Sequence, residues 1–406
     1  MRTQKPTVDG YVVFVLPRGR YTTLIRLIHT ADVHLDRCYS SARFPAAFAN
    51  RRRQTLRDAF LSIVARAGEW PADALLIAGD LFEYDRVSRD TIALLRRAFE
   101  SVPHVPVFIA PGNHDPYLPD SPYVSHRWPK NVFIFQRPTW TAHALERVAI
   151  TVHGFGFDGP NVSTNPFGSL SVPNDGRVHV AVAHGSEMGS LPSGKTAYAP
   201  FDAMATTPEA LRYLALGHYH GAKRIPVKGA CCVQYCGSPV GHDFGETGLH
   251  GFVEIEIDGD ETRVREVPAS NTLFSVHDLD CGGMESSQQI VEAVRAIAHS
   301  HSGSHIARVT LRGGVPQELR MDLHGLQDAV RDAFEYIEVI DHLEIEDDFA
   351  SLAADQTSLG AFIAEMNMQI SDATEERRRK MLLRARELGV AAYRGRTTPL
   401  RVAAGE

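Results

Sequence analysis

The stretch LIRLIHTADVHLD, residues 24–36, decides the fold. Leu24, Ile25, Leu27 and Ile28 make a short apolar run of strand length, and the chain turns polar within one residue of it. Side chains two apart on extended backbone point the same way, so Asp32 and His34 converge at the mouth of a buried strand, where a carboxylate and an imidazole suit one metal ion. A lone Asp-x-His pair is weak. Its weight comes from four later apolar runs that end in the same manner.

DALLIAG, residues 73–79, runs into Asp80, and Pro106 to Ala110 leads to Asn113, His114 and Asp115. VHVAVAH, residues 178–184, ends at His184, and LRYLALGHYH, residues 211–220, ends at His218 and His220. Between the first strands lie helical patterns: Leu56, Phe60, Ile63 and Val64 in one, and Ile92, Leu95 and Phe99 within Arg89 to Glu100 in the next. Strands alternating with helices, with polar residues at the strands' carboxyl ends, describe an open α/β sheet with its ligands at that edge. VFIF, VAITVHGFGF and VHVAVAH, within residues 131–184, carry few helix signals and predict a second, partly antiparallel sheet. Asp258-Gly259-Asp260 reads as the turn of a hairpin between GFVEIEI and TRVREV.

From residue 271 the order changes. A helix over Gln288 to Ala298, the strand HIARVTLRG, a helix over Leu323 to Phe334 and the strand YIEVIDHLEIE form a small α/β module. A charged final helix, about Thr374 to Ala392, carries a narrow apolar stripe, with Asp372 and Glu375 positioned to cap it. The expected division is a peripheral extension over 1–23, a catalytic domain over 24–270, a small capping domain over 271–345 and a helical segment over 346–406.

With 406 residues, 44% of them hydrophobic, the chain is too long for one typical domain. A net charge of -7 argues against a general basic coat for nucleic acid, although a local groove or bound cations could receive a polyanion. Five cysteines make no disulfide framework, and no apolar run approaches the roughly 18 residues of a membrane span. A reduced cytoplasmic protein is expected.

The candidate donors are Asp32, His34, Asp80, Asn113, His114, His184, His218 and His220. One ion takes about four to six ligands, so this set suffices for two if a carboxylate is shared, and Asp80, alone at its strand end, is the natural bridge. Blander readings hold elsewhere. His153 and His179 lie inside strands and read as structural, and Cys231, Cys232 and Cys236 lack a second ligand pair and read as plain thiols. Arg51, Arg52 and Arg53 read as a solvated helix face or a guide for a nucleic-acid backbone, as do Arg377, Arg378, Arg379, Lys380, Arg384 and Arg386 near the C-terminus.

DVH at 32–34, GDLF at 79–82, GNHD at 112–115, AHG at 183–185 and GHYH at 217–220 stand in the order of a known family. The sequence resembles the calcineurin-like metallophosphoesterases, and within them the Mre11/SbcD-type DNA repair exonucleases, strongly over residues 24–250 and thinly beyond 270. The resemblance implies a four-layer α/β/β/α sandwich with a smaller C-terminal α/β capping domain. It implies one divalent ion on Asp32, His34, Asp80 and His220, and a second on Asp80, Asn113, His184 and His218. Mn2+ is expected, with Fe2+ or Zn2+ also suited to these donors. The ions would share a hydroxide for in-line attack on phosphorus, and His114 would stand over the phosphate with Asp115 orienting its ring. DNA, an SMC-like or ABC-type ATPase and a second copy of the chain are the implied partners. One departure is Glu83, where the exonucleases commonly have histidine: an acid there could not donate a proton in the same way and would repel a phosphate backbone. The rivals are an esterase for a nucleotide or other small phosphoester, and a weakly catalytic subunit that binds DNA ends or tethers an ATPase.

Overall fold

The computed structural model describes residues 14–15, 21–22, 24–39, 44–191, 194, 196–316, 319 and 322–395. Apart from an antiparallel pair, Phe14–Val15 with Tyr21–Thr22, the expected extension over 1–23 lies outside them. The chain divides into two compact units, one of residues 1–276, 301–307 and 334–336, the other of 277–300, 308–333 and 337–406.

The first unit is built on two six-stranded sheets. In the first, Ile25–Thr30, Ala74–Ile77, Val107–Ile109 and Val132–Ile134 run parallel in that order, and the hairpin Gly251–Asp258 and Glu261–Pro268 adds an antiparallel edge beside Ile25–Thr30. In the second, Cys232–Tyr235, Leu211–Gly217, Val178–His184 and Ile150–Gly154 run parallel, with antiparallel Lys223–Ile225 and Thr141–Leu145 at the edges. Alternation along the first sheet's strands sends Leu27, Leu76 and Phe108 against Val152, Val180, Val182 and Tyr213 of the second. The other face, with Ile28, Leu75 and Ile77, packs on Leu56, Phe60 and Ile63 of helix Ala46–Glu69 and on Leu95 and Phe99 of helix Arg89–Glu100. Beyond the second sheet the cover is thinner, a cluster of Phe155, Phe157, Phe167 and Phe201 over Leu214 and Leu216. The architecture is therefore the expected α/β sandwich of two sheets, with helices Ala46–Glu69 and Arg89–Glu100 outside the first.

VFIF departs from its expected sheet. Val132–Ile134 closes the first sheet, parallel to Val107–Ile109, because a short apolar run can extend either sheet and its pattern does not say which. The three arginines also part company: Arg51 is exposed, Arg53 half-buried and Arg52 fully buried, as follows when adjacent helical residues point about 100° apart. Arg52 reaches the Gly241 carbonyl at 3.1 Å and Thr272 Oγ1 at 3.4 Å, with its guanidinium over the Phe274 ring. It anchors the loop that carries His242. Arg52→Ala is expected to lower stability by about 3 kcal/mol through lost packing and an orphaned carbonyl, a fall in Tm of roughly 6–12 °C by calorimetry. A fall below about 2 °C would show that the guanidinium holds nothing.

In the second unit, the strand order of a three-stranded sheet is Thr272–Asp280, Ser304–Val315 and Tyr336–Ile345, the first residues of each strand counting with the first unit. Helix Ser287–Ala298 starts in a capping box of Ser286 and Gln289, and helix Leu323–Val330 follows the second strand. Three helices end the unit, Phe349–Ala354, Ser358–Asp372 and Glu376–Tyr393. Only the last was expected, and its capping differs. Asp372 ends the preceding helix, and Glu375, at the N-cap, makes no side-chain cap bond. Among the described residues no helix is long and apolar enough to cross a membrane.

Candidate metal centre

Beyond strand Ile25–Thr30 the chain zips against the end of Ala74–Ile77: the Asp32, His34 and Leu35 amides donate to the Gly79, Asp80 and Leu81 carbonyls at 3.0, 2.9 and 3.0 Å. The turn demanded is sharp. Asp32, His34 and Asp80 take φ of 52°, 50° and 52°, and His218 takes 112°, left-handed values that cost a non-glycine residue roughly 1–3 kcal/mol each. Four of the expected ligands thus sit in strained conformations that their surroundings must hold. Part of the holding comes from Asp115, whose buried carboxylate accepts from the amides of Gly112, Asp80 and Leu81 at 2.7, 3.0 and 2.8 Å and from the Tyr123 hydroxyl at 2.7 Å. Asp80 Oδ1 in turn accepts from the His114 amide at 2.8 Å, and both Asp32 oxygens accept from the His218 amide at 3.0 and 3.1 Å. Gly112 admits this closeness, since a Cβ there would collide with Asp80 Oδ1.

The seven expected ligands meet at these strand ends. Asp32, His34 and His220 form one cluster and Asp32, Asp80 and His184 another, with the donor atoms of each within 4.8 Å of one another. His34 Nε2 lies 3.3 Å from His220 Nε2, and Asn113 Oδ1 lies 3.0 Å from His184 Nε2. The His218 ring is 5.2 Å from that of His184, centroid to centroid. Asp32 is common to both clusters, and Asp80 Oδ2, in the second, lies 3.4 Å from His184 Nε2 and 3.7 Å from His34 Nε2 of the first.

This donor set fits divalent cations. Asp32, His34, Asp80 and His184 are 0, 1, 2 and 0% exposed, so two carboxylates share a dry site where a cation would offset their charge. Burial pushes the Asp32 carboxyl up and the His34 imidazole down, and takes His218 down to about 3, so the His34 and His218 rings are neutral donors. His184 Nδ1 donates to the Ala78 carbonyl at 2.9 Å, which leaves the Nε2 lone pair for a metal. Mixed carboxylate, amide and imidazole donors suit Mn2+, Fe2+ or Zn2+.

Three residues have contacts that sequence reasoning did not foresee. Glu83 lies between two rings, one oxygen 2.9 Å from His34 Nδ1 and the other 2.9 Å from His114 Nδ1. It thus occupies the place expected for Asp115, which is turned inward to backbone amides. The hydrogen bond to Glu83 raises the His114 imidazole to about 9, and the two rings hold the Glu83 carboxyl well below the usual range despite its burial. Glu246 Oε1 lies 2.6 Å from His220 Nδ1, holding that ring as Ala78 holds His184. Its other oxygen accepts from the His242 amide at 3.0 Å, and His242 is fully buried against the His34 and His220 rings. The spacing of His242 and Glu246 after the Gly237-Ser238-Pro239 turn was the available signal. His153 and His179 bond each other at 2.9 Å.

Residues 25–222 match the calcineurin-like phosphoesterase family. The uncharacterized metallophosphoesterase YhaO of Bacillus subtilis is 24% identical over 336 residues, covering 80% of this chain and 79% of that protein. The DNA double-strand break repair protein Mre11 of Haloferax volcanii is 27% identical over 280 residues, 67% of this chain and 58% of that protein, so the match spans little more than half of it. Among solved structures, a dimetal phosphatase from Danio rerio superposes with a TM-score of 0.40 at 10% identity, over 60% of this chain and 96% of that one.

Proposed function

Since residues 25–222 form a calcineurin-like metallophosphoesterase domain, we propose that this metal-dependent phosphoesterase is an exonuclease acting on DNA ends in repair. The observation that carries the reading is the pair of adjoining donor clusters that share Asp32, with Asp80 Oδ2 3.7 Å from His34 of one and 3.4 Å from His184 of the other. Two divalent ions held there, Mn2+ in this proposal, would neutralise phosphate oxygens and supply an activated water. Asp32, His34, Asp80 and His220 would hold one, and Asp80, Asn113, His184 and His218 the other. His114, its Nδ1 taken by Glu83, would keep Nε2 for the phosphate, to stabilise charge or protonate the leaving oxygen. Asp115 would fix the backbone on which Asp80, Gly112 and His114 sit.

DNA as substrate is supported by the Mre11 relatives and by an open groove of about 610 Å³ beside Asp36, two residues from His34. Four arginines line it; Arg57 and Arg86 pair with Asp36 and Asp85 at 3.0 and 2.6 Å, which leaves the charges of Arg37 and Arg53 to face phosphates. An SMC-like or ABC-type ATPase, a second copy of the chain and a cytoplasmic setting complete the proposal. A second reading, a small phosphoester substrate, is favoured by the cleft of about 650 Å³ that Tyr198, His218, Tyr219, His220 and Lys223 line, a size suited to a small organic ligand.

The test sets a linear duplex, a closed circle of the same sequence and bis(p-nitrophenyl) phosphate side by side with Mn2+. Degradation of the linear duplex alone among the DNAs is expected, lost in Asn113→Ala and reduced about 10²–10⁴-fold in His114→Ala. Turnover confined to the small ester would remove DNA as the substrate.

A further inference from the structure

We propose that Glu83 is a positioning residue that couples the metal centre to His114, gripping His34 with one carboxylate oxygen and His114 with the other. The inference rests on the metal and phosphate roles proposed above. Both contacts are 2.9 Å, to the Nδ1 atom of each ring, and the rings stand edge to face with centroids 4.7 Å apart. The grip is built into the backbone. The Glu83 amide donates to the Leu35 carbonyl at 3.0 Å, next to His34, and the Tyr84 amide donates to the His114 carbonyl at 2.9 Å. One short segment therefore stitches together the two histidine loops, with its carboxylate lying between their side chains at 12% exposure.

An ionised carboxylate only accepts, so Nδ1 of both rings must carry the hydrogen. For His34 this leaves Nε2 as a lone pair, 3.3 Å from His220 Nε2 and 3.7 Å from Asp80 Oδ2, where a metal ligand is needed. For His114 it fixes the ring about its Cβ and orients Nε2. The same contacts answer the repulsion expected of an acid at this position: the charge of Glu83 is engaged by two imidazoles and does not stand open to a phosphate.

Glutamine at 83 offers one accepting oxygen and one donating amide, so it can keep only one of the two Nδ1–H contacts. Three readouts on the full chain test the coupling. In metal-free protein, 15N shifts of the histidine rings should show Nδ1–H at His34 and His114, and Glu83→Gln should change at least one. Calorimetric titration with Mn2+ should show affinity weakened about 10–100-fold, in the His114→Ala background as well, because this effect runs through His34. In hydrolysis of bis(p-nitrophenyl) phosphate at saturating Mn2+, Glu83→Gln should lower kcat in the wild-type background and add little to the loss in His114→Ala. Glu83→Asp, one methylene too short to span both rings, supplies the same readouts if the glutamine variant does not fold. Unchanged ring shifts with Mn2+ affinity within threefold, or a kcat loss that multiplies in full on His114→Ala, would overturn the coupling. A wild-type protein with no turnover would instead sink the phosphoesterase reading, while the ring shifts and Mn2+ affinities still decide on Glu83.

Discussion

Asp80→Ala protein is expected to bind at most one Mn2+ tightly where the wild type binds two, and to hydrolyse phosphodiesters at least about a thousandfold more slowly. Asp80 Oδ2 lies 3.7 Å from His34 Nε2 and 3.4 Å from His184 Nε2, so its loss removes an anionic donor from one cluster and the carboxylate that faces a histidine of the other. The site also loses the Oδ1 that accepts from the His114 amide, freeing the loop on which the phosphate-side histidine stands. Losing about 4 kcal/mol of charge stabilisation corresponds to a factor of about 10³ in rate. Elemental analysis after dialysis gives the metal count, and kcat at saturating Mn2+ gives the rate. Asp80→Asn keeps the shape and the oxygen facing His114 while removing the charge, so it separates ligation from loop position. Two ions retained with kcat within tenfold of wild type would show that Asp80 is not shared.

That these candidate donors are legible in the sequence reflects the kind of fold this is. Parallel strands end at one edge, so the residues just past each apolar run, Asp32, His34, Asp80, Asn113, His184, His218 and His220, come together even though as many as 188 positions of sequence separate them. Periodicity also separates the inward Leu27 and Leu76 from the helix-facing Ile28 and Leu75. What sequence could not supply were contacts made across loops. Glu83 was visible only as an acid in an unexpected place, because its value depends on two rings reached from loops 49 and 31 residues away. Glu246 and His242 follow no strand, so no strand-end rule points to them. Val132–Ile134 is too short for its pattern to choose a sheet, and helix Ser358–Asp372 lacks the charge that marked its successor.

Asp115→Ala tests the part of the site that holds the strained turns in place. Its carboxylate accepts from three backbone amides and one hydroxyl, and all four lie in the buried interior around Asp80. Each orphaned buried donor costs about 1–3 kcal/mol, and because relaxation shares the loss the expected total is about 4 kcal/mol, not the sum. The folded state of metal-free protein should therefore melt roughly 8–16 °C lower. Activity should fall with it, since the Asp80 and Leu81 amides and the left-handed φ of 52° at Asp80 are what aim its carboxylate at His34 and His184. Asp115→Asn discriminates between charge and geometry: its single oxygen can accept from two donors, but its amide faces the others and repels them, so it should lie nearer to alanine than to wild type. If instead Asp115 served chiefly to orient His114, both variants would melt within about 2 °C of wild type while kcat fell. Melting curves of the two metal-free variants decide the matter, because they read the backbone clamp without any contribution from bound ions.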